Sequence, residues 1–128
     1  MHPFRRLSVW RKAHELALRA YHASSEIRDR DFPGISSQLR RAAASIAASI
    51  AEGSGRDTAT DFAHCLEIAL ASARELDYHL LLAADLGAIG RSRHAMLEAR
   101  TDEVCRMLVG LRRQVLRTPK RRDPARAR

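Results

Sequence analysis

The chain has 128 residues, and its 23 Lys and Arg residues against 15 Asp and Glu give a formal net charge of +8 at pH 7. This length suits one domain with its own hydrophobic core, and a basic balance favours acidic partners such as nucleic acid. The longest uncharged run, residues 42–51, is far shorter than the roughly 20 residues of a membrane span, and charged residues interrupt the N-terminal apolar positions, which argues against a signal peptide. We therefore expect a soluble, cytoplasmic protein.

The first predicted helix extends from about Ser8, a candidate N-cap, to Arg28. Pro33 and Gly34 follow and cannot continue a helix. Its apolar positions recur every three or four residues, as in an amphipathic helix. This stripe comprises Trp10, Ala13, Ala17, Ala20, Ser24 and Ile27.

The second predicted helix spans about residues 36–52, with Gly53 at the place of a left-handed C-terminal cap. Its core stripe is Leu39, Ala43, Ile46 and Ile50. Further alanines surround this helix on nearly every side, and a helix that is apolar all round is usually buried all round. The second small-residue face therefore indicates contact with another protomer, although alanine also simply favours helices. The interface candidates are Ala44, Ala47, Ala48, Ala51, Glu52 and Arg56.

Glu52 lies in the last turn of this helix, where its negative charge opposes the helix dipole. An arginine close to Glu52 would offset that cost. Arg56, or an arginine from another helix, could be this partner, and a solvated Glu52 without a partner is the alternative.

The third predicted helix covers about residues 59–86, with Thr58 as N-cap, Asp61 three residues later, and Gly87 closing it. Its stripe has seven members: Phe62, Leu66, Ala69, Ala73, Leu76, Leu80 and Ala83. The fourth covers about residues 92–117 and is stopped by Pro119. Its stripe is Leu97, Thr101, Val104, Leu108, Leu111 and Val115.

Residues 119–128 hold five basic residues and one acidic residue, and we expect them to form a disordered basic tail after a helical domain over residues 1–118. Short links make neighbouring helices antiparallel. The sequence therefore predicts an all-α protein, an antiparallel up-down-up-down four-helix bundle.

No motif for a cofactor or metal is present: the bundle-type Glu-x-x-His motif is missing, and Asp61-x-x-His64 stands alone. Cys65 and Cys105 lack metal-binding spacing and are predicted to be reduced, partly buried thiols, with a disulfide or a reactive thiol as the alternative. Arg74 and His79 have the spacing of a helical ribonuclease motif of the HEPN type, with His79 as acid or base. A structural histidine on the apolar side of the helix is the other interpretation of His79.

Basic residues cluster at the start of the second helix and at the end of the fourth. The candidate phosphate contacts are Arg40, Arg41, Arg112, Arg113, Arg117, Lys120, Arg121 and Arg122. Aromatic residues make up only 5% of the chain, so we expect base stacking not to dominate. Binding to nucleic acid would then depend on phosphates and weaken with salt.

Three segments resemble one known family: LSVWRKAHELA at 7–17, SQLRRAAASIAASIAEGSGR at 37–56, and EIALASARELDYHLLLAADLG at 67–87. The chain resembles the bacterial four-helix bundle proteins called 23S rRNA intervening sequence proteins. The accessory variability protein of diversity-generating retroelements is similar.

The resemblance implies a ring-like homopentamer without known catalysis. It further implies association with structured RNA or a reverse transcriptase through a basic surface. The favoured interpretation is thus a non-enzymatic, homo-oligomeric protein associated with nucleic acid. A ribonuclease using Arg74 and His79, and a purely protein-binding scaffold, are the alternatives.

Overall fold

The computed structural model describes residues 3–117, so the predicted basic tail, including Lys120, Arg121 and Arg122, lies outside the described residues. A short 3-10 helix over Pro3–Arg6 precedes four α-helices, which are α1 (Ser8–Ser24), α2 (Ile35–Ser54), α3 (Ala59–Asp85) and α4 (Arg91–Arg117). Residues 3–117 contain no strand, which confirms the all-α class for that part of the chain.

The helices form a bundle in which each helix contacts two others. The contacting pairs are α1 with α2, α2 with α3, α3 with α4, and α4 with α1. Within the described residues, α2 and α4 do not contact each other, and neither do α1 and α3. None of the helices in residues 3–117 is long and apolar enough to cross a membrane.

The core lies between the apolar stripes of the four helices, and most of the predicted stripe residues are buried. All seven stripe positions of α3 are in the core, from Phe62 to Ala83. Thr101 is also fully buried, and its hydroxyl donates a hydrogen bond to the Leu97 carbonyl 2.7 Å away. Trp10 is an exception because it is only half-buried, whereas Val9 and Leu16 fill the core at that end of α1.

The predicted start of α1 at about Ser8 is confirmed, but its predicted N-cap and its predicted end were wrong. Ser8 is the first residue of the helix, and its N-cap position is held by Leu7 without a side-chain hydrogen bond. The helix ends at Ser24, well before Arg28. The Ser36 hydroxyl, on α2, lies within hydrogen-bond distance of the carbonyl oxygens of Ser24 and Ile27, at 2.8 and 3.0 Å. The Ser24 carbonyl also accepts from the Ile27 amide at 3.0 Å, so the Ser36 hydroxyl adds a contact from the next helix to the turn that follows α1.

The predicted role of Gly53 was also wrong. Gly53 is buried inside the last turn of α2, which continues to Ser54 and has Gly55, with φ −93°, as its C-cap. Within residues 3–117, only Gly34 and Gly87 have positive φ angles. The place of Gly53 is explained by its packing against α3.

Both predicted caps of α3 are confirmed. The Thr58 hydroxyl accepts a hydrogen bond from the Asp61 amide at 3.1 Å. At the other end Gly87 has φ +81°, its amide donates to Ala84, and the Ala88 amide donates to Ala83. This pair of bonds is the Schellman arrangement, in which a left-handed glycine closes the helix.

Candidate nucleic-acid interface

A basic groove runs between α3 and α4, with a volume of about 480 Å³. Its lining residues on α3 are Glu67, Leu70 and Arg74, and those on α4 are Val109, Arg112, Arg113, Leu116 and Arg117. These positions recur at steps of three and four residues, which place side chains on one side of a helix. The groove thus combines four guanidinium groups, one carboxylate and three apolar side chains.

One of the four arginines is neutralised within the groove. Arg112 donates from Nη2 to Glu67 Oε1 at 2.9 Å. His64 also lies near this carboxylate, with its Nδ1 3.7 Å from Glu67 Oε2. The Nε atom of Arg112 is buried without a hydrogen-bond partner among the described residues. Glu67 therefore holds Arg112 against the wall of the groove.

The other three arginines keep their charge available. Arg74, Arg113 and Arg117 are exposed, and none forms an ion pair with a carboxylate of residues 3–117. The groove therefore has an excess of positive charge. Guanidinium groups suit phosphate because their planar donors can bind two phosphate oxygens at once.

The structure brings Arg112, Arg113 and Arg117 together, as their shared place on α4 predicted, and adds Arg74 from α3. From the sequence, Arg74 was assigned only to a candidate ribonuclease motif with His79. The seven-residue separation between Glu67 and Arg74 is the signal that would have placed both on one side of α3.

Arg40 and Arg41 lie elsewhere, on α2, which does not contact α4 in this part of the chain. Arg40 is half-buried and donates from Nε to the Ser24 hydroxyl at 2.8 Å. Its guanidinium carbon lies 5.6 Å from the centre of the Tyr21 ring. Arg41 is exposed. The predicted phosphate contacts therefore form two separate surfaces, and Arg40 already has partners within the protein.

The predicted oligomer-interface residues of α2 are also divided, with some on the surface and one in the core of the protomer. Ala44 and Ala48 are exposed and Ala51 is half-buried. Ala47 instead lies in the core of its own protomer, since it is one turn from Ala43 and three residues before Ile50. Only part of the set is therefore on the surface.

Glu52 and Arg56 are exposed and form an ion pair, so Arg56 is the nearby arginine that Glu52 was expected to require. The hydrogen bond to Glu52 is the main cause that raises the pKa of Arg56. Arg56 therefore keeps its positive charge over the whole physiological pH range.

Arg74 and His79 do not line one cleft. Five positions correspond to about 140° around a helix, so the two side chains leave α3 in different directions. Arg74 enters the α3–α4 groove, whereas His79 is half-buried beside the ring of Tyr78, with ring centres 5.7 Å apart. The Nδ1 atom of His79 is buried without a partner among the described residues. The spacing alone therefore does not assemble a joint site.

Metal-binding side chains are not gathered in the described part of the chain, where no group of three or more His, Cys, Asp or Glu could hold an ion. Cys65 is buried and Cys105 is half-buried, both as free thiols. Burial is the main cause that raises the pKa of Cys105. The thiol is therefore the dominant form of Cys105 at neutral pH.

Comparison with known proteins places the chain in a family. The family model described as 23S rRNA-intervening sequence protein matches residues 5–110. A solved structure from Bacteroides thetaiotaomicron VPI-5482, a protein of unknown function from the S23 ribosomal protein family, is similar with a TM-score of 0.77 and 27% sequence identity. That match covers 81% of this chain and 97% of the other. A comparison with curated proteins gave no match. Because the family model spans most of the chain, the protein belongs to the 23S rRNA-intervening sequence protein family.

Proposed function

We propose that this protein is a non-enzymatic, homo-oligomeric helical bundle that associates with structured RNA in the bacterial cytoplasm. The observation that carries the proposal is the α3–α4 groove, with four guanidinium groups against the single carboxylate of Glu67. Arg113 and Arg117 are the principal phosphate contacts, because both are exposed and unpaired within the described residues. Membership of a family named after an intervening sequence of 23S rRNA supports RNA as the partner.

The groove favours recognition of the RNA backbone over recognition of sequence. Its donors are guanidinium groups, which suit phosphate oxygens, and apart from Glu67 its remaining lining is apolar. Contacts to phosphate position a nucleic acid without reading its bases. The basic residues Lys120, Arg121 and Arg122 follow α4 in the sequence and add to the net positive charge of the chain.

The assembly belongs to the proposal as well. We propose that the four helices alternate in direction and that copies of the bundle associate as a homo-oligomer, with five protomers as the number that the family resemblance favours. The exposed alanines Ala44 and Ala48 support this, since small side chains allow close contact between helices. A ring of copies would repeat the α3–α4 groove around its circumference and strengthen binding through multivalency.

Binding of a labelled RNA hairpin, measured by fluorescence anisotropy over about 50–200 mM salt, tests the proposal. The double variant Arg113→Gln/Arg117→Gln should weaken binding at least tenfold and reduce the salt slope by about 0.9 for each lost phosphate contact. The matched control is Arg30→Gln/Arg91→Gln, which removes two exposed arginines outside the groove. It should change the affinity less than about threefold.

Two results would contradict the proposal. One is undetectable binding at the lowest salt, and the other is an equal loss of affinity in both double variants. The RNA should also remain intact after prolonged incubation, because the proposed function involves no cleavage.

A further inference from the structure

A line of exposed side chains follows the outer side of α1. Trp10, His14, Leu18 and Tyr21 are separated by four, four and three residues, which places them on one side of the helix. Leu18 is 59% exposed and Tyr21 is 46% exposed, His14 is exposed, and Trp10 is half-buried. Three of the four carry aromatic rings, although aromatic residues are rare in this chain. We call this line the α1 surface.

Two of these rings are already stacked. Trp10 and His14 lie with ring centres 4.9 Å apart and planes within 7° of parallel. The Phe4 ring packs edge-on against Trp10 at 4.9 Å. Phe4 and the body of the protein therefore hold Trp10 from behind, and His14 forms the exposed outer layer of the stack.

Positive charge surrounds the α1 surface. The guanidinium carbon of Arg5 lies 5.9 Å from the Phe4 ring centre, and that of Arg40 lies 5.6 Å from the Tyr21 ring centre. Arg11 donates from Nη1 to the Arg5 carbonyl at 3.1 Å. None of these three arginines pairs with a carboxylate in residues 3–117.

The nearest carboxylate on α1 is held away from this surface. Glu15 accepts hydrogen bonds from Arg19 at 3.3 Å and from Arg100 of α4 at 2.9 Å. Its charge is therefore directed to the side of α1 that meets α4. The α1 surface itself combines flat rings with arginines that pair with no carboxylate of residues 3–117.

We propose that the α1 surface binds unpaired bases of a single-stranded polynucleotide, one base on the outer face of His14 and another on Tyr21. His14 and Tyr21 are two helical turns apart, about 10 Å, which leaves room for a base against Leu18 between them. Arg5 and Arg11 contact the phosphates of the same strand. Stacking on aromatic rings beside cations is the general way in which proteins hold single strands.

This inference rests on the proposed association with nucleic acid. It specifies that the α1 surface recognises nucleic acid in its single-stranded form. A nucleic-acid duplex buries the faces of its bases, so the α1 surface accepts only unpaired bases. The α3–α4 groove, in contrast, can bind the backbone of the duplex. A symmetric contact between two copies through this surface fits less well, because it would bring Arg5, Arg11 and Arg40 against the same arginines without compensating carboxylates. Contact with a different surface of a second copy is one of the outcomes tested below.

Trp10 is the only tryptophan of the chain and reports directly on this surface. The full-length protein is titrated with a 12-nucleotide oligouridine, with the DNA oligonucleotide of equivalent sequence, and with an RNA duplex of equal length. Single strands should quench Trp10 emission, and the duplex should not. The RNA and DNA arms distinguish the two sources of unpaired bases, and quenching by either supports the inference.

Variants then test the stacking itself, with affinity read from the anisotropy of labelled oligouridine. His14→Ala and Tyr21→Ala should each weaken single-strand binding at least fivefold and leave binding of the duplex unchanged. Tyr78→Ala is the matched control, because Tyr78 is 57% exposed on α3, outside the α1 surface. It should leave both affinities unchanged.

Several results would overturn the inference. Oligouridine binding without any change in Trp10 emission is the first, and an equal effect of Tyr78→Ala and Tyr21→Ala is the second. The third combines two observations made without nucleic acid. Trp10 emission would depend on protein concentration, and light scattering would detect oligomers that the His14→Ala substitution abolishes. Binding of the hairpin but not of oligouridine would reject this inference alone, whereas failure of every nucleic acid to bind would reject the proposed function too.

Discussion

Gly53 of α2 and Cys65 of α3 approach each other so closely that an ideal Cβ atom on Gly53 would lie 2.6 Å from the Cys65 Cβ atom. The same added atom would lie 2.9 Å from Cδ1 of Phe62. Cys65 and Phe62 are themselves buried, so neither can move aside freely. The missing side chain at position 53 therefore allows α2 and α3 to pack closely where the chain turns between them.

We predict that Gly53→Ala destabilises the protein although alanine favours helices. The gain in helix propensity is about 1 kcal/mol, whereas overpacking a core costs about 1–3 kcal/mol. Urea unfolding should show a net loss of up to about 2 kcal/mol. The control is Gly110→Ala in α4, where an added Cβ meets no atom within 4 Å, and it should stabilise by up to about 1 kcal/mol. Equal stabilisation by both variants would contradict the close contact.

Thr58→Ala should destabilise the protein by about 1 kcal/mol, the usual cost of losing an N-cap side chain. The reason is that the Asp61 amide loses the hydroxyl that accepts its hydrogen bond. Thr60→Ala, an exposed substitution in the first turn of α3, is the matched control. It should be neutral or slightly stabilising because alanine has the higher helix propensity. Thermal unfolding that ranks the two variants in the opposite order would reject the capping role.

Asp77 is predicted to destabilise the folded protein at neutral pH. Burial is the largest cause that raises the pKa of Asp77. The negative charges of Asp102 and Glu98 raise this pKa further, whereas His94 lowers it. One carboxylate oxygen of Asp77 is also buried without a hydrogen-bond partner among the described residues. A raised pKa means that the folded state binds the proton more tightly. The contribution of Asp77 to stability is therefore most favourable below about pH 4 and declines as the pH rises through its folded pKa.

Asp77→Asn should therefore stabilise the protein at pH 7 by up to about 1 kcal/mol, the size of a partly exposed charge interaction. The gain should shrink toward zero near pH 3, where the carboxyl group is neutral in both states. Denaturant unfolding at several pH values measures the difference. Glu75→Gln, in the middle of α3 and away from both ends of the helix dipole, is the control, since Glu75 is exposed. A gain that is independent of pH would show that the charge of Asp77 is not its cause.

The fold was largely predictable because apolar spacing over a long helix is a strong signal. Seven positions of α3 follow one period, and chance rarely produces such a run. The ends of the helices were harder to predict, since they depend on contacts outside the helix. At the end of α1, for example, the chain is contacted by the Ser36 hydroxyl, whose partners are nine and twelve positions away in sequence.

The candidate site was less predictable because it requires knowledge of which helices are neighbours. The arginines of α4 share one helix and could be grouped from sequence alone. The ion pair between Glu67 and Arg112 joins residues 45 positions apart, and no local pattern indicates it. Alanine is a further source of error, since its small side chain is tolerated in the core and on the surface alike. Ala47 is buried and Ala48 is exposed, although the two residues are adjacent.

Glu67→Gln should strengthen binding of the RNA hairpin if the α3–α4 groove is its site. The substitution removes the only carboxylate of the groove and frees Arg112 from its ion pair. We expect a gain of about three- to tenfold at low salt and a salt slope steeper by about 0.9, corresponding to one further phosphate contact. The protein should remain folded, because an exposed ion pair contributes only about 0–1 kcal/mol. Glu75→Gln removes an exposed carboxylate of α3 that does not line the groove, and it should raise the affinity less. Weaker binding by Glu67→Gln would instead show that Glu67 holds Arg112 in the orientation that RNA requires.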